Sequence, residues 1–234
     1  DILEKYDERY VSECLKSVDD LNTYAARFYR DAAEIFDSIT RIRNIERNPT
    51  GFSIDDAPIL GLLVRVWKLL KELIRYYEEN NAEFIGLFER PLLEAAVTAT
   101  YLMQGDADLM LDYRKCSYKD RLRILRDLQQ GSPFFKTKAG QRLLASVRKK
   151  MSLEGLTKDD FAVQKKNGWR IQGKNFYDIF AVVEHRQLYA CTYGMMSDSI
   201  HGSWNESMDF CLTRDESGQF MPYPFFQKAD IRYV

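Results

Sequence analysis

The chain has 234 residues, 45% of them apolar and 29% charged, and a formal net charge of −1. This composition supplies enough apolar side chains for a real core and excludes an intrinsically disordered chain. Charges interrupt the apolar runs every few residues, which excludes a membrane-spanning segment.

The chain opens Asp1-Ile2-Leu3-Glu4, with no initiator methionine and no secretory signal pattern, so its natural form is expected to extend further or to be processed. A short helix is expected around residues 3–17. Leu21, Ala25, Phe28, Ala32, Ile35, Ile39 and Ile42 then recur in steps of three and four, one apolar stripe of a long amphipathic helix. Asn48-Pro49-Thr50-Gly51 ends it with turn chemistry. The next helix begins near Asp55 or Asp56, repeats the spacing through Ile59, Leu63, Val66, Leu70, Leu73 and Tyr77, and stops at Glu78-Glu79-Asn80-Asn81.

A further helical stretch covers residues 82–103, interrupted by Pro91, which either kinks it or opens a new helix. After Gln104-Gly105-Asp106 a basic helix is expected over 107–130, and after the turn Gly131-Ser132-Pro133 another over 137–152. Thr157-Lys158-Asp159-Asp160 has the form of a helix cap, and residues 165–169 read as a loop. Helix resumes over 175–201, with Gly202 at the position of a C-cap. Residues 208–213 and 219–221 then pair as a short hairpin around Glu216-Ser217-Gly218. The fold class is therefore all-α, a multi-helix bundle over residues 1–205, with residues 206–234 a small hairpin appendage of the same domain.

Charge is unevenly spread: residues 1–112 sum to −9, residues 113–174 to +12 and residues 175–234 to −4. The basic block either forms a surface that attracts phosphates or neutralises the acidic helices of its own chain. Arg114, Lys115, Lys119, Arg121, Lys149 and Lys150 are its candidate nucleic-acid contacts, with Tyr113, Tyr118, Phe134, Phe135 and Trp169 interleaved as stacking surfaces or as core.

Two stretches lack a charged face. From Pro91 to Gly105 the only charge is Glu94, and from Gln187 to His201 the only fixed charge is Asp198. Helices apolar all round are expected at the centre of a bundle. Glu94 needs a partner there, and Arg90 stands one turn before it. Tyr193, Ser197 and His201 follow at steps of four, forming one polar stripe. An interior cluster of Arg90, Glu94, Tyr193, Ser197 and His201 is the candidate catalytic site, or else a satisfied core network.

Other chemistries find no support. Cys14, Cys116, Cys191 and Cys211 lie outside metal-ligand spacing, and the two histidines, His185 and His201, do not complete a di-iron pattern. No H-E-x-x-H, P-loop or G-x-G-x-x-G occurs, so neither metal nor cofactor is expected. Reduced thiols agree with a cytoplasmic protein, without membrane contact and with helix faces open to a homo-oligomer.

Arg90-Pro91-Leu92-Leu93-Glu94, followed by Tyr193-x-x-x-Ser197-x-x-x-His201-Gly202, resembles an uncharacterised prokaryotic family of helical proteins of the DUF5677 kind, over roughly residues 55–205. The resemblance implies a helical bundle whose Arg, Glu, Ser and His meet in the interior, and a role in defence against mobile elements. The pattern is also similar to helical RNases of the HEPN type, which carry an arginine a few residues before a histidine. Here positions 194, 195 and 196 are Gly194, Met195 and Met196, so any such cation must come from Arg90 on another helix. Two functions follow: a polyanion-binding module using residues 113–174, or a metal-independent RNase with His201 as general acid or base and Arg90 on the phosphate. A scaffold without a ligand is the third.

Overall fold

A computed structural model describes residues 6, 13, 16–41, 51–201 and 203–227, and its architecture is mostly α-helical. Helix α1 spans Val18–Arg41. Its start is fixed by reciprocal bonds in which Asp20 N donates to Ser17 Oγ and Ser17 N to Asp20 Oδ2, at 3.0 and 3.1 Å. Those bonds hold the Asp20 carboxyl below its usual range. Helix α2 spans Ala57–Glu78 and α3 spans Ala82–Met103. Asn80, at φ 53°, turns the chain between them, and Asn81 caps α3 by accepting from Phe84 N. The link is so short that α3 folds back along α2.

Pro91 neither stops α3 nor opens a new helix; the helix runs through it. The helix expected over 3–17, most of the turn at 48–51 and the cap at Gly202 fall outside the described residues.

The basic stretch 107–130 is two helices, α4 (Ala107–Cys116) and α5 (Lys119–Gln129). Ser117 Oγ donates to the Arg114 carbonyl at 2.6 Å, and Tyr118, 2% exposed, drives its ring inward with its hydroxyl on Glu154 Oε1. A buried aromatic at the junction thus sets the break, without glycine or proline. Helix α6 spans Lys138–Leu153, capped by Thr137, and packs on the 3₁₀ turn Pro133–Lys136. Gly140 is the point of closest approach: a Cβ there would collide with the Phe134 carbonyl oxygen and Phe135 Cα. Asp160 caps the chain at Thr157, a 3₁₀ turn follows, and α7 covers Ala162–Lys166.

Helix α8, Phe176–Val183, opens with a capping box between Asn175 and Asp178. The expected long helix over 175–201 breaks at residues 184–187, and helical turns resume at Leu188. They widen to a π turn at Ala190–Gly194, tighten to 3₁₀ at Met195–Ser197 and end as α9, Asp198–His201. A short α10, Trp204–Glu206, and a π turn, Ser207–Cys211, lead to the hairpin. Its strands, β1 (Leu212–Arg214) and β2 (Phe220–Pro222), pair with Thr213 opposite Met221; the first is shorter than expected because residues 207–211 stay helical.

Two apolar clusters organise these elements. One joins Leu62 and Val66 of α2, Val97, Tyr101 and Leu102 of α3, Leu109 and Met110 of α4, and Ile179 and Phe180 of α8. The other belongs to the basic segment: Tyr118, Leu122 and Leu125 meet Phe135, Leu144, Val147, Met151 and Phe161. Tyr118 and Phe135 are thus core, not stacking surfaces, whereas Phe134 is exposed. Among the described residues no helix is long and apolar enough to cross a membrane.

Helix α1 docks on α2, with Arg30 bound to Glu78 at 2.7 Å and Tyr77 donating to the Asn22 carbonyl. Glu89 of α3 lies close enough to Tyr29 of α1 for its charge to act on that phenol. Burial pushes the Glu89 carboxyl from 4.5 up to about 8. A folded carboxyl that keeps its proton when an unfolded one has lost it stabilises the fold fully below about pH 4.5, and this contribution is lost as pH rises through about 8. Glu89→Gln should therefore match the wild type in acid and exceed it in stability above that window. Denaturant unfolding on both sides of the window checks this; the same pH dependence in both proteins would refute it.

Candidate functional site

Arg90 of α3 gathers the site. Its Nε donates to Glu94 Oε1 at 3.2 Å, one turn along the same helix. Its Nη2 donates to the Tyr193 hydroxyl at 2.6 Å, and its Nη1 lies 3.1 Å from His201 Nε2. The Tyr193 hydroxyl in turn donates to Glu94 Oε1 at 2.7 Å, closing a ring of three groups. The guanidinium carbon also stands 4.5 Å from the centre of the Tyr193 ring. A guanidinium has no acceptor, so the contact with His201 requires Nε2 to accept and the imidazole proton to sit on Nδ1.

Local backbone geometry makes this convergence possible. On an α-helix a step of four residues overshoots a full turn. The π turn at Ala190–Gly194 is wider, so the step from Tyr189 to Tyr193 no longer overshoots, and their rings lie 5.0 Å apart. Phe176 of α8 closes on Tyr193 from the other side at 4.7 Å. Residues 195–201 pack against α3 and bring His201 to Arg90. Ser197 is spent elsewhere: its hydroxyl donates to the Tyr193 carbonyl at 2.9 Å.

Burial pushes the Tyr193 phenol up to about 12, and the hydrogen bond to Glu94 adds to this against the opposing Arg90 charge. Burial works against the Arg90 charge, but its bonds to Tyr193 and Glu94 outweigh that and raise it further. Tyr193 is therefore a fixed neutral donor and Arg90 a fixed cation.

The expectation of an interior cluster needs correction. Residues 187–201 are half-buried or exposed wherever their side chains are described, and His201 is exposed. Few charges mark a helix that rests on its neighbours through aromatic rings, Tyr189 on Phe180 and Tyr193 on Phe176, with the opposite face open. The Arg90 side chain is 19% exposed and that of Glu94 42%, so the group opens to solvent.

One cleft adjoins it, and a second shares Trp169 with the first. The first, about 590 Å3, lies between α2, α3, α4, α8 and the loop at 169–175; Glu94, Arg65, Arg170 and Lys174 are its charged lining residues. The second, about 380 Å3, lies between α5, α7 and Lys158. It is lined by Lys119, Arg123, Arg126, Lys158 and Lys165 together with Leu122, Gln129 and Trp169, without a carboxylate. A third cleft, about 850 Å3 between α1 and α2, mixes charges of both signs and includes the Arg30–Glu78 pair.

The candidate nucleic-acid contacts separate accordingly. Lys119 lines the second cleft, while Lys149 and Lys150 are exposed on α6 and Lys115 is half-buried on α4. Arg114 is an internal strut, reaching Asp55 at 3.5 Å, Glu154 at 4.0 Å and the Ile54 carbonyl at 3.4 Å. Arg121 covers the Tyr118 ring and donates to the Ser117 carbonyl. Sequence reasoning missed Arg65, Lys158 and Lys165 as cleft residues: Arg65 stands in the acidic half, Lys158 precedes a 3₁₀ turn, and Lys165 lies on a helix too short to show periodicity. Among the described residues no three His, Cys, Asp or Glu side chains group as metal ligands.

If the Arg90 ring is a real network, its members are coupled. Arg90→Ala and Tyr193→Phe should each lower stability by about 1–2 kcal/mol. The double variant should lose less than the sum by at least about 0.5 kcal/mol. A denaturant double-mutant cycle measures this, and strict additivity would show the contacts to be independent.

No curated protein and no solved structure matches the chain. Residues 56–220, well over half of it, match the family model described as "Family of unknown function (DUF5677)". That span contains the Arg90 ring, His201 and both clefts, and the chain belongs to this family.

Proposed function

We propose that this protein binds nucleic acid along the cationic surface of residues 113–174. The carrying observation is the second cleft, where five basic side chains converge with no carboxylate in the lining. Of these, Arg123 and Arg126 have only distant, exposed pairs with Asp120 and Asp127, at 3.9 and 3.7 Å, and the three lysines have none among the described residues. The scarcity of ion pairs with the acidic half supports this reading over internal neutralisation: among the described residues, Arg114–Asp55 is the block's one such pair. Unpaired cations concentrated in one concavity favour an anionic polymer.

Electrophoretic retention of RNA and DNA at several salt concentrations, with EDTA present, tests the reading. Five phosphate contacts on a single strand imply a log–log salt slope of roughly −3.5. Lys119→Ala and Lys165→Ala should each weaken binding and flatten that slope by roughly 0.7. Absence of retention, or retention indifferent to salt, would overturn it.

The contact between Arg90 and His201 favours a second reading, metal-independent RNA cleavage. A phosphate arriving at the guanidinium would free His201 Nε2 to take the 2′-hydroxyl proton. The 2′-oxygen would then form a bond to phosphorus, and the 5′-oxygen would leave with a proton from solvent, giving a 2′,3′-cyclic phosphate. Cleavage should then persist in EDTA, spare DNA and disappear in His201→Ala; intact RNA after prolonged incubation would exclude it.

A further inference from the structure

We propose that the ligand is single-stranded, threaded across Trp169, with one nucleotide lodged in the first cleft; this rests on the nucleic-acid reading above. Trp169 belongs to the walls of both clefts, so the two spaces are neighbours across one indole. They differ in chemistry. The second offers a ring of cations and suits consecutive phosphates. The first is walled largely by apolar and aromatic side chains, Leu62, Tyr113, Phe176 and Ile179 among them, and its volume of about 590 Å3 suits a small organic group such as a nucleotide. Arg65 and Arg170 are exposed there without an ion pair among the described residues, available to that nucleotide's phosphate.

Glu94 is the one carboxylate in the lining of the first cleft. Glu94 presents Oε1 to Arg90 and Tyr193, while Oε2 has no partner among the described residues. A carboxylate oxygen repels phosphate but accepts from the N–H edge of a base. The base therefore points toward Glu94 and the phosphate toward Arg65 and Arg170, which orients the nucleotide.

The indole is held in place for this. Trp169 adopts φ 60°, a left-handed conformation that bulky residues rarely take, within a loop where Gly168, Gln172 and Gly173 are also left-handed. Its backbone N–H donates to the Gln164 carbonyl at 2.7 Å. Asp112 clamps the loop on both sides, accepting from the Gln164 side chain at 2.7 Å and from Gln172 N at 2.6 Å. One side of Trp169 meets Phe161, with ring centres 6.2 Å apart, and the residue remains half-buried, leaving part of the indole to the clefts. A base paired inside a duplex cannot stack on it; an unpaired base can.

The test compares three probes on the full chain at one salt concentration: a fluorescent oligouridylate, a duplex of similar charge and inorganic polyphosphate. The oligouridylate should bind at least about tenfold tighter than the duplex. Trp169→Leu should lose roughly tenfold for the oligouridylate and leave polyphosphate unchanged, while Trp169→Phe keeps most of the affinity. Thr98→Phe, which narrows the first cleft from α3 and leaves residue 169 a tryptophan, should reproduce the selective loss and guards against a folding defect in the Trp169 variants. If both variants bind the oligouridylate like the wild type, or the duplex binds equally well, the strand is held by charge alone: the threading proposal fails while the nucleic-acid reading stands. If no probe shows salt-sensitive binding, that reading fails and takes the proposal with it.

Discussion

Arg90, the one cation on helix α3, organises this molecule's polar side. Arg90 cannot lose its proton and cannot be left half-buried without acceptors. Its own helix supplies Glu94, and the segment 188–201 supplies the rest, through the Tyr193 hydroxyl, its ring face and His201. The segment's irregular pitch is the geometric counterpart of that demand. A regular α-helix would carry its polar stripe progressively around the axis, whereas a π turn followed by a 3₁₀ turn redistributes the rotation. Irregular helical turns of this kind often accompany functional positions.

The second organising fact is the separation of charge from apolar core within the basic segment. Helices α5 and α6 carry most of the positive charge yet contribute Leu122, Leu125, Leu144, Val147 and Met151 to a core of their own. That core lets the cations spread over the opposite faces, where solvent and not acidic neighbours surrounds most of them. The α2–α3 pair provides the complementary frame, packed tightly enough that Val66, Leu70, Ala99 and Leu102 are almost wholly hidden. The two cores meet at the Asp112 clamp and the loop that carries Trp169, which places a strained aromatic at their seam.

The long amphipathic helices were legible in the sequence because an uninterrupted period of three and four leaves little ambiguity: α1, α2 and α3 lie within a few residues of their expected bounds. The break at Ser117 and Tyr118 was not, since neither residue is a helix breaker and the cause is a distant acceptor, Glu154. Burial of residues 187–201 was misjudged for a related reason. Lack of charge does not separate a helix enclosed on all sides from one shielded on one face by aromatic rings. The motif pattern pointed to the residues that converge on Arg90, while leaving Ser197 out of them required knowing that its hydroxyl turns back to its own helical segment. The clefts had no sequence signature, because their walls come from several elements and from turns such as 158–165 and 168–174, where no period exists to read.

The thiols carry a practical consequence. Burial pushes the Cys116 thiol up to about 11, with the Asp112 charge adding to the effect, whereas Cys191 and Cys211 are exposed. Since the thiolate is the reacting form, alkylating reagents should discriminate against Cys116. Cys191 lies in the π turn itself, its sulfur on the Leu188 carbonyl and its backbone two residues from Tyr193. A small spectroscopic label attached there would ride on the turn that aligns Tyr193, and would register any change in its pitch.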